Sequence, residues 1–170
     1  MALRPGRTER TIKRSYTRVS RRVPRKSYAV GVPAPKIHVF ETGKKGEYDT
    51  VLYLISKRSV QMRSNSLEAA RIVATKFLSV KLGTSFFLKV LLYPHNVIRK
   101  KPIATGAGAD RYSRGMKLAF GKPDGVGAHV KKGQKIMKLM VDKEDVEVGK
   151  KALKKAGLKI ASPIRIEIKQ

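Results

Sequence analysis

The chain has 170 residues, enough for one ordinary domain with a single buried core, and 41% of them are hydrophobic, which excludes a wholly disordered polycation. It carries 39 Lys and Arg against 12 Asp and Glu, a formal net charge of +27, so the expected partner is a polyanion, above all a nucleic acid. The absence of cysteine excludes a disulfide framework, a thiolate zinc site and a cysteine nucleophile.

Residues 1–35 form a basic extension with eight arginines and two lysines against a single acid, Glu9. Arginine suits bidentate phosphate contacts and stacking on bases, and Tyr16 and Tyr28 are further candidates for stacking on exposed bases. A solvated, disordered tail is the alternative for such a charge run, but we expect the segment to become ordered on RNA. The residues predicted to bind RNA here are Arg4, Arg7, Arg10, Arg14, Arg18, Arg21, Arg22, Arg25 and Lys26.

The hydrophobic pattern changes after the extension, and residues 36–170 are predicted to form one domain. Apolar runs at 36–40 and 50–55, separated by a glycine turn, predict a β-hairpin. Asn65 followed by Glu68 has the spacing of a capping box and predicts the start of a helix. Apolar residues then repeat at helical spacing, and the next glycine is expected to end the helix.

The second half of the chain is predicted to contain mostly strands. Their expected positions are residues 85–93, 97–99, 126–130, 134–141 and 163–168. A tight Lys-Lys-Gly turn is expected to join the strands at 126–130 and 134–141, and a second helix is predicted between Asp142 and Gly157. Strands and helices without a regular βαβ period predict an α+β fold with a mostly antiparallel sheet and two main helices.

Residues 99–125 form a segment that is longer than an ordinary connection between two elements, and this length predicts a functional basic loop. Seven basic residues stand here against two acids, and five glycines allow the backbone to approach phosphates closely. Tyr112 and Phe120 add possible stacking surfaces. A flexible loop without a fixed partner is the alternative. The loop residues predicted to bind RNA are Arg99, Lys100, Lys101, Lys117 and Lys122.

Groups that could carry catalysis are sparse. His38, His95 and His129 are far apart in sequence and lack a metal-binding motif, so core or RNA-facing roles are favoured over metal ligation. Residues 105–110 have the glycines of a phosphate loop but not the lysine of a Walker A motif. We therefore expect no enzymatic activity, cofactor, metal or small-molecule substrate. Without a secretory signal or a long apolar run, we also expect no membrane partner.

Several segments of the sequence resemble the archaeal and eukaryotic large-subunit ribosomal protein family L ten e, which is the universal L sixteen family. The segments are RPGR at 4–7, GVPAPKIHVF at 31–40, SLEAARIVATKF at 66–77, YPHNVIRKKPIATGAGADRYSRGMKLAFGKPDG at 93–125 and GQKIMKL at 133–139. They are spread over essentially the whole chain. An archaeal-type length and the lack of cysteine suggest an archaeal source.

The resemblance implies an α/β-hammerhead fold on the RNA of the cytoplasmic large ribosomal subunit, beside neighbouring ribosomal proteins and without enzymatic activity. It also implies that the basic residues above bind rRNA, and that residues 104–115 extend toward the acceptor ends of the tRNAs near the peptidyl transferase centre. The residues implied to lie near tRNA are Thr105, Gly106, Ala107, Gly108, Ala109, Asp110, Arg111, Tyr112 and Arg114.

Two other functional classes remain open alternatives. An RNA-processing or modifying enzyme would act on isolated RNA and lose that activity on substitution of a histidine or aspartate. A chromosomal DNA-binding protein would bind duplex DNA as well as structured RNA. Neither alternative explains the segment at residues 93–125.

Overall fold

Two antiparallel sheets and two long helices organise the chain in the computed structural model, which describes residues 4–17 and 29–169. The elements are β1 (Glu41–Gly43), β2 (Thr50–Ser56), β3 (Val60–Arg63), α1 (Ser64–Leu82), β4 (Phe87–Val90), β5 (Asn96–Lys100), α2 (Ala109–Tyr112), β6 (Lys122–Val130), β7 (Lys135–Val141), α3 (Val146–Gly157) and β8 (Ile164–Lys169). Short 3-10 turns occupy Gly6–Thr8 and Lys143–Asp145. The predicted α+β class with mostly antiparallel sheets and two main helices is confirmed.

The five-stranded sheet, in the order β1-β4-β7-β2-β8, buries one face against the helices. Leu52 on β2 lies opposite Leu139 on β7, which lies opposite Leu88 on β4, and all three are fully buried. Helix α3 packs so closely on this face that a Cβ added at Gly149 would lie 3.2 Å from Leu139 Cδ2. Because side chains alternate along a strand, every second residue of these strands faces away from the helices.

Helix α1 packs against α3 and the three-stranded sheet. Its buried residues recur at helical spacing, and Gly83 follows its last residue as predicted. The predicted capping box is wrong, because the helix already begins at Ser64, directly after β3, and no side chain caps it. Glu68 instead accepts hydrogen bonds from Arg71, one turn further along. Leu67 and Leu78 are the large side chains of the helix that are fully buried, whereas Phe77 is only partly buried.

The predicted hairpin between 36–40 and 50–55 is also wrong. Strand β1 begins at Glu41 and pairs with β4, whereas β2 is a central strand between β7 and β8. The two apolar runs are therefore adjacent in sequence but not in the sheet. The alternation along β2 determines which of its faces is buried but does not select the partner strand, so the sequence pattern could not reveal this pairing.

The Lys-Lys-Gly turn forms, with Gln134 N donating to Lys131 O at 3.1 Å, but it connects two sheets. Strand β6 belongs to the three-stranded sheet, whose order is β3-β6-β5, and β7 to the five-stranded sheet. The turn is thus not a hairpin turn. The second predicted helix is found, although it opens with the 3-10 turn that follows Asp142 and becomes α-helical only at Val146.

Candidate nucleic-acid interface

The first part of the basic extension is bound to the three-stranded sheet by main-chain hydrogen bonds. Gln61 N on the edge strand β3 donates to Arg10 O at 2.7 Å, and Val97 N on the opposite edge strand β5 donates to Tyr16 O at 2.6 Å. Residues 10–16 therefore span the sheet from one edge to the other. This segment of the extension has a fixed position on the body of the protein.

Three side chains of the sheet form a polar cluster beneath the extension. Gln61 Oε1 accepts hydrogen bonds from Asn96 Nδ2 at 2.6 Å and from His129 Nε2 at 2.9 Å, and Gln61 Nε2 donates to Glu9 O at 2.6 Å. Asn96 Oδ1 accepts from Tyr16 N at 2.7 Å. Burial lowers the pKa of His129, which favours the neutral ring. One amide thus links all three strands of this sheet to the extension.

An ion pair holds the start of the extension. Arg63 Nε at the end of β3 lies 2.5 Å from Glu9 Oε2, and both side chains are only 15% exposed. The Nε group does not have hydrogen-bond geometry toward any acceptor in the described residues, so the contact is an ion pair alone. Arg63 also donates from Nη2 to Pro5 O at 3.1 Å. The only acid of the extension is therefore used to attach it, so the extension contains no further acid to compensate its arginines.

The extension also meets the base of the long loop, at a cluster of one arginine and two rings. The guanidinium carbon of Arg99 lies 3.5 Å from the ring centroid of Phe120 and 4.9 Å from that of Tyr16, and the two rings meet edge to face at 5.6 Å. Arg99 Nη1 also donates to Phe120 O at 2.6 Å. Tyr16 and Phe120, predicted to stack on RNA bases, thus contact each other and Arg99.

The loop is narrow where it leaves the sheet. Lys100 and Lys122 lie directly opposite each other at the ends of β5 and β6. Gly121, next to this pair, has a φ of +73°, and a Cβ there would lie 2.8 Å from the main-chain carbon of Lys100. Only glycine fits this close approach without strain. Two like charges held opposite each other favour an anion between or above them.

The tip of the loop is an exposed turn around α2. Ala104 N donates to Ser113 Oγ at 3.0 Å, which ties the two sides of the tip together. Between them α2 presents Arg111 and Tyr112 to solvent, with the Tyr112 side chain 86% exposed. The residues implied to lie near tRNA, from Thr105 to Arg114, therefore occur together on one projection.

A cavity of about 590 Å³ lies between the tip and the base of the loop. Its lining combines basic side chains with two aromatic rings, namely Lys100, Lys101, Arg114, Lys117, Lys122, Tyr112 and Phe120. Four of the five loop residues predicted to bind RNA are therefore brought together here, and Arg99 lies at its base. A concave, cationic site with exposed rings can hold a phosphate and stack a base at the same time.

The extension residues have different positions. Arg4, Arg7, Arg10 and Arg14 are exposed, and Arg4 Nη2 reaches Lys101 O at 3.4 Å. The predicted contacts Arg18, Arg21, Arg22, Arg25 and Lys26, together with Tyr28, lie outside the described residues. In residues 4–17 and 29–169 no group of three or more His, Asp or Glu side chains could hold a metal ion. Within the same ranges no helix is long and apolar enough to cross a membrane.

Sequence reasoning missed the residues that attach the extension. Gln61 and Asn96 are buried amides in short strands, where each is flanked by apolar residues on at least one side. A buried amide has to be hydrogen-bonded, so its position inside a strand is the one sequence feature that could have indicated a polar partner from elsewhere in the chain. Nothing in the sequence pattern identifies the extension as that partner.

Comparison with known proteins identifies the family. The family model described as Ribosomal protein L16p/L10e matches residues 13–167. Proteins named large ribosomal subunit protein uL16 are similar along most of their length. The one from Archaeoglobus fulgidus is 41% identical over 172 residues (100% of this chain and 95% of the relative), and that from Sulfolobus acidocaldarius is 44% identical over 173 residues (99% and 94%). The one from Staphylothermus marinus is 46% identical over 147 residues (85% and 84%). The chain therefore belongs to the ribosomal protein L16p/L10e family.

Proposed function

We propose that this protein is a structural constituent of the large ribosomal subunit in the cytoplasm, where it binds rRNA and contacts neighbouring ribosomal proteins without catalysing a reaction. The observation that carries the proposal is the convergence of the extension and the long loop on the Arg99, Tyr16 and Phe120 cluster. It joins two basic segments that are far apart in sequence into one surface. Family membership supports a ribosomal RNA as the polyanion.

The proposed division of labour has two parts. Residues 36–170 form the folded body, and residues 1–35 form an RNA-binding extension whose first part is attached to that body by Gln61 and Arg63. The exposed arginines of the extension and the lysines of the loop base neutralise phosphates where RNA helices pack. Phosphate contacts of this kind fix position and carry most of the affinity.

The tip of the loop has a separate proposed role near the acceptor ends of tRNA. Residues 104–115 project beyond the sheet, carry Arg111 and Arg114, and contribute nothing to the buried core. A segment that does not contribute to the core can have a sequence suited to binding a partner. The exposed ring of Tyr112 is placed to stack on an unpaired base.

The rRNA part of the proposal is tested by the salt dependence of binding to a large-subunit rRNA transcript. If about ten phosphates are neutralised, affinity should fall by about 10³ to 10⁵ between 50 and 200 mM salt. Duplex DNA of equal length serves as the control and should bind more weakly at every salt concentration. A nearly flat dependence, or equal affinity for the DNA, would contradict the proposal.

The tRNA part is tested by replacing residues 104–115 with a short Gly-Ser turn. The shortened protein should fold and enter the subunit, because the core lies elsewhere and a short closed loop costs little. Subunits reconstituted with it should bind tRNA poorly or elongate slowly, and the charge reversals Arg111→Glu and Arg114→Glu should give a milder form of the same defect. Normal elongation with both variants would contradict the tRNA role and indicate that the tip is only a spacer. Failure of both variants to enter the subunit would contradict it as well, because the tip would then be required for assembly.

A further inference from the structure

The five-stranded sheet has a second face, opposite the helices, that is built around lysines. The register places Glu41, Lys89, Lys138, Tyr53 and Glu167 in one row across the strands β1, β4, β7, β2 and β8. Leu52 and Leu139, next to Tyr53 and Lys138 in sequence, point to the helices, so this row points away from them. We call the surface formed by this row and its neighbours the open face.

No helix in the described part of the chain covers the open face. Helix α3 contacts the sheet from the side of Leu52, and α1 packs on α3 and on the strands β3 and β6. Of the apolar strand residues of the open face, Val51, Tyr53 and Met140 are half-buried, whereas Phe87, which pairs with Met140 at the β4 end of the face, is buried. The lysine stems account for this partial cover, since Lys135 Nζ lies 3.9 Å from the ring centroid of Tyr53.

The charges of the open face are arranged with cations at the centre and acids at the edges. Lys89 and Lys138 lie directly opposite each other on β4 and β7, and Lys138 has no carboxylate within ion-pair distance among the described residues. The two acids belong to the edge strands, where Glu41 pairs with Lys45 and Lys89, and Glu167 pairs with Arg165. Hydrogen bonds from Lys45 and Lys89 lower the pKa of the Glu41 carboxyl to about 2. The carboxylate therefore stays ionised and remains paired with these two lysines.

Two like charges directly opposite each other in an antiparallel pair destabilise the sheet. Here the pair occupies the two interior strands β4 and β7, where a hydrophobic or oppositely charged pair would be more stable. An anion above the pair removes this cost. The same arrangement, Lys100 opposite Lys122, occurs at the base of the RNA-binding loop described above.

We propose that the open face docks on the phosphate backbone of RNA, as a second contact surface on the body of the protein. The proposal rests on the proposed function, because it takes RNA to be the polyanion. Lys89 and Lys138 bind successive or facing phosphates, and Lys135 and Arg165 extend the contact along the sheet. The contact reads no base sequence, since ammonium groups on flexible stems act as point charges.

Charge complementarity favours RNA over a protein partner as the occupant. The core of a protein interface is poor in lysine and rich in exposed apolar side chains, and the middle row of the open face has the opposite composition. The exposed apolar residues Val39 and Leu91 lie beyond the ends of β1 and β4, outside this row. An apolar protein surface bound there would leave Lys138 without a counter-charge.

The test compares Lys89→Gln/Lys138→Gln with Lys89→Arg/Lys138→Arg, both in the full-length protein and with a large-subunit rRNA transcript. The glutamine variant should lower the slope of log affinity against log salt by about 1.8, which corresponds to two lost phosphate contacts on duplex RNA treated as B-DNA, and the arginine variant should keep the slope. The glutamine variant should melt close to the temperature of the unaltered protein, because removal of the like-charge pair offsets loss of the partly exposed Glu41–Lys89 ion pair. Lower affinity together with a large drop in melting temperature would assign the loss to unfolding and overturn the proposal.

A second measurement separates this inference from the proposed function. Acetylation of Lys89 and Lys138 in the unaltered protein should be suppressed by the rRNA transcript alone. An unchanged salt slope in the glutamine variant, or protection of the two lysines only when another ribosomal protein is added, would overturn the docking of this face on RNA and leave rRNA binding elsewhere intact. Failure of the unaltered protein to bind the transcript would instead overturn the proposed function.

Discussion

The two sheets share antiparallel pairing but differ in what lies on them. The five-stranded sheet packs its helix-facing side chains into the main core, where α3 covers it and α1 packs on α3. The three-stranded sheet contributes fewer core residues and instead carries the extension, the Gln61, Asn96 and His129 cluster, and the long loop. Apolar burial dominates the first sheet and hydrogen bonding the second. We therefore expect stability and the proposed RNA contact to depend largely on different residues, so that substitutions can separate them.

The largest expected effect comes from the apolar core, to which the five-stranded sheet, α1 and α3 all contribute. Leu78 on α1 is fully buried, so Leu78→Ala should lower the free energy of unfolding by about 2 to 5 kcal/mol, a large part of the total for a domain of this size. Val80→Ala on the same helix is the matched control, because Val80 is 75% exposed and should cost about 0.5 kcal/mol or less. Urea denaturation measures both, and equal losses would mean that α1 does not pack as described.

A smaller effect is expected on the three-stranded side. Gln61→Ala leaves Asn96 Nδ2, His129 Nε2 and Glu9 O without their partner, which should cost about 1 to 3 kcal/mol. It should also expose the segment before Thr17 to protease, while α1 stays protected. Asn65→Ala is the control and should change stability by about 0.5 kcal/mol or less, since Asn65 is not the helix cap. A loss near 1 kcal/mol at Asn65 would restore the capping box, and unchanged proteolysis in Gln61→Ala would show that the extension is held elsewhere.

The smallest effect is a pH dependence from His129. Burial lowers its pKa below the value of 6.5 that applies to an unburied histidine, so the unfolded chain takes up a proton at higher pH than the folded chain. The neutral ring's contribution to stability is therefore complete above about pH 6.5 and is lost as the pH falls below it. The urea midpoint of the unaltered protein should decrease between pH 7.5 and 5.5, and His129→Gln should flatten that decrease. An equally steep decrease in the variant would assign the titration to another group.

Hydrophobic periodicity and turn residues predicted correctly those elements that depend only on nearby residues. The end of α1 before Gly83, the strand character of residues 134–141 and the final alternating strand follow from periodicity and turn residues. The choice of strand partners does not, which is why the hairpin at 36–55 was predicted wrongly and β3 was missed. β3 has four residues with no alternation of burial, and it ends in Gln61, Met62 and Arg63 after a single valine.

The candidate interface shows the same limit. Composition predicted the basic loop and the extension, and the resemblance predicted the family, which the comparisons confirm. Composition could not show that Tyr16 and Phe120 contact each other, because these residues are 104 positions apart and their meeting depends on the extension crossing the sheet. Lys89 and Lys138 were not singled out either, since they become neighbours only through the register of β4 and β7.

The lysines of the open face also affect how copies of the free protein interact with one another. A sheet with a free edge strand such as β8 can add a strand from a second copy and begin to aggregate. A second copy approaching the sheet would bring its own lysines toward Lys89, Lys138 and Lys169, and the repulsion opposes contact. We expect this repulsion to keep copies of the free protein apart. If RNA docks on the open face as proposed, its phosphates would neutralise the same lysines and end the repulsion.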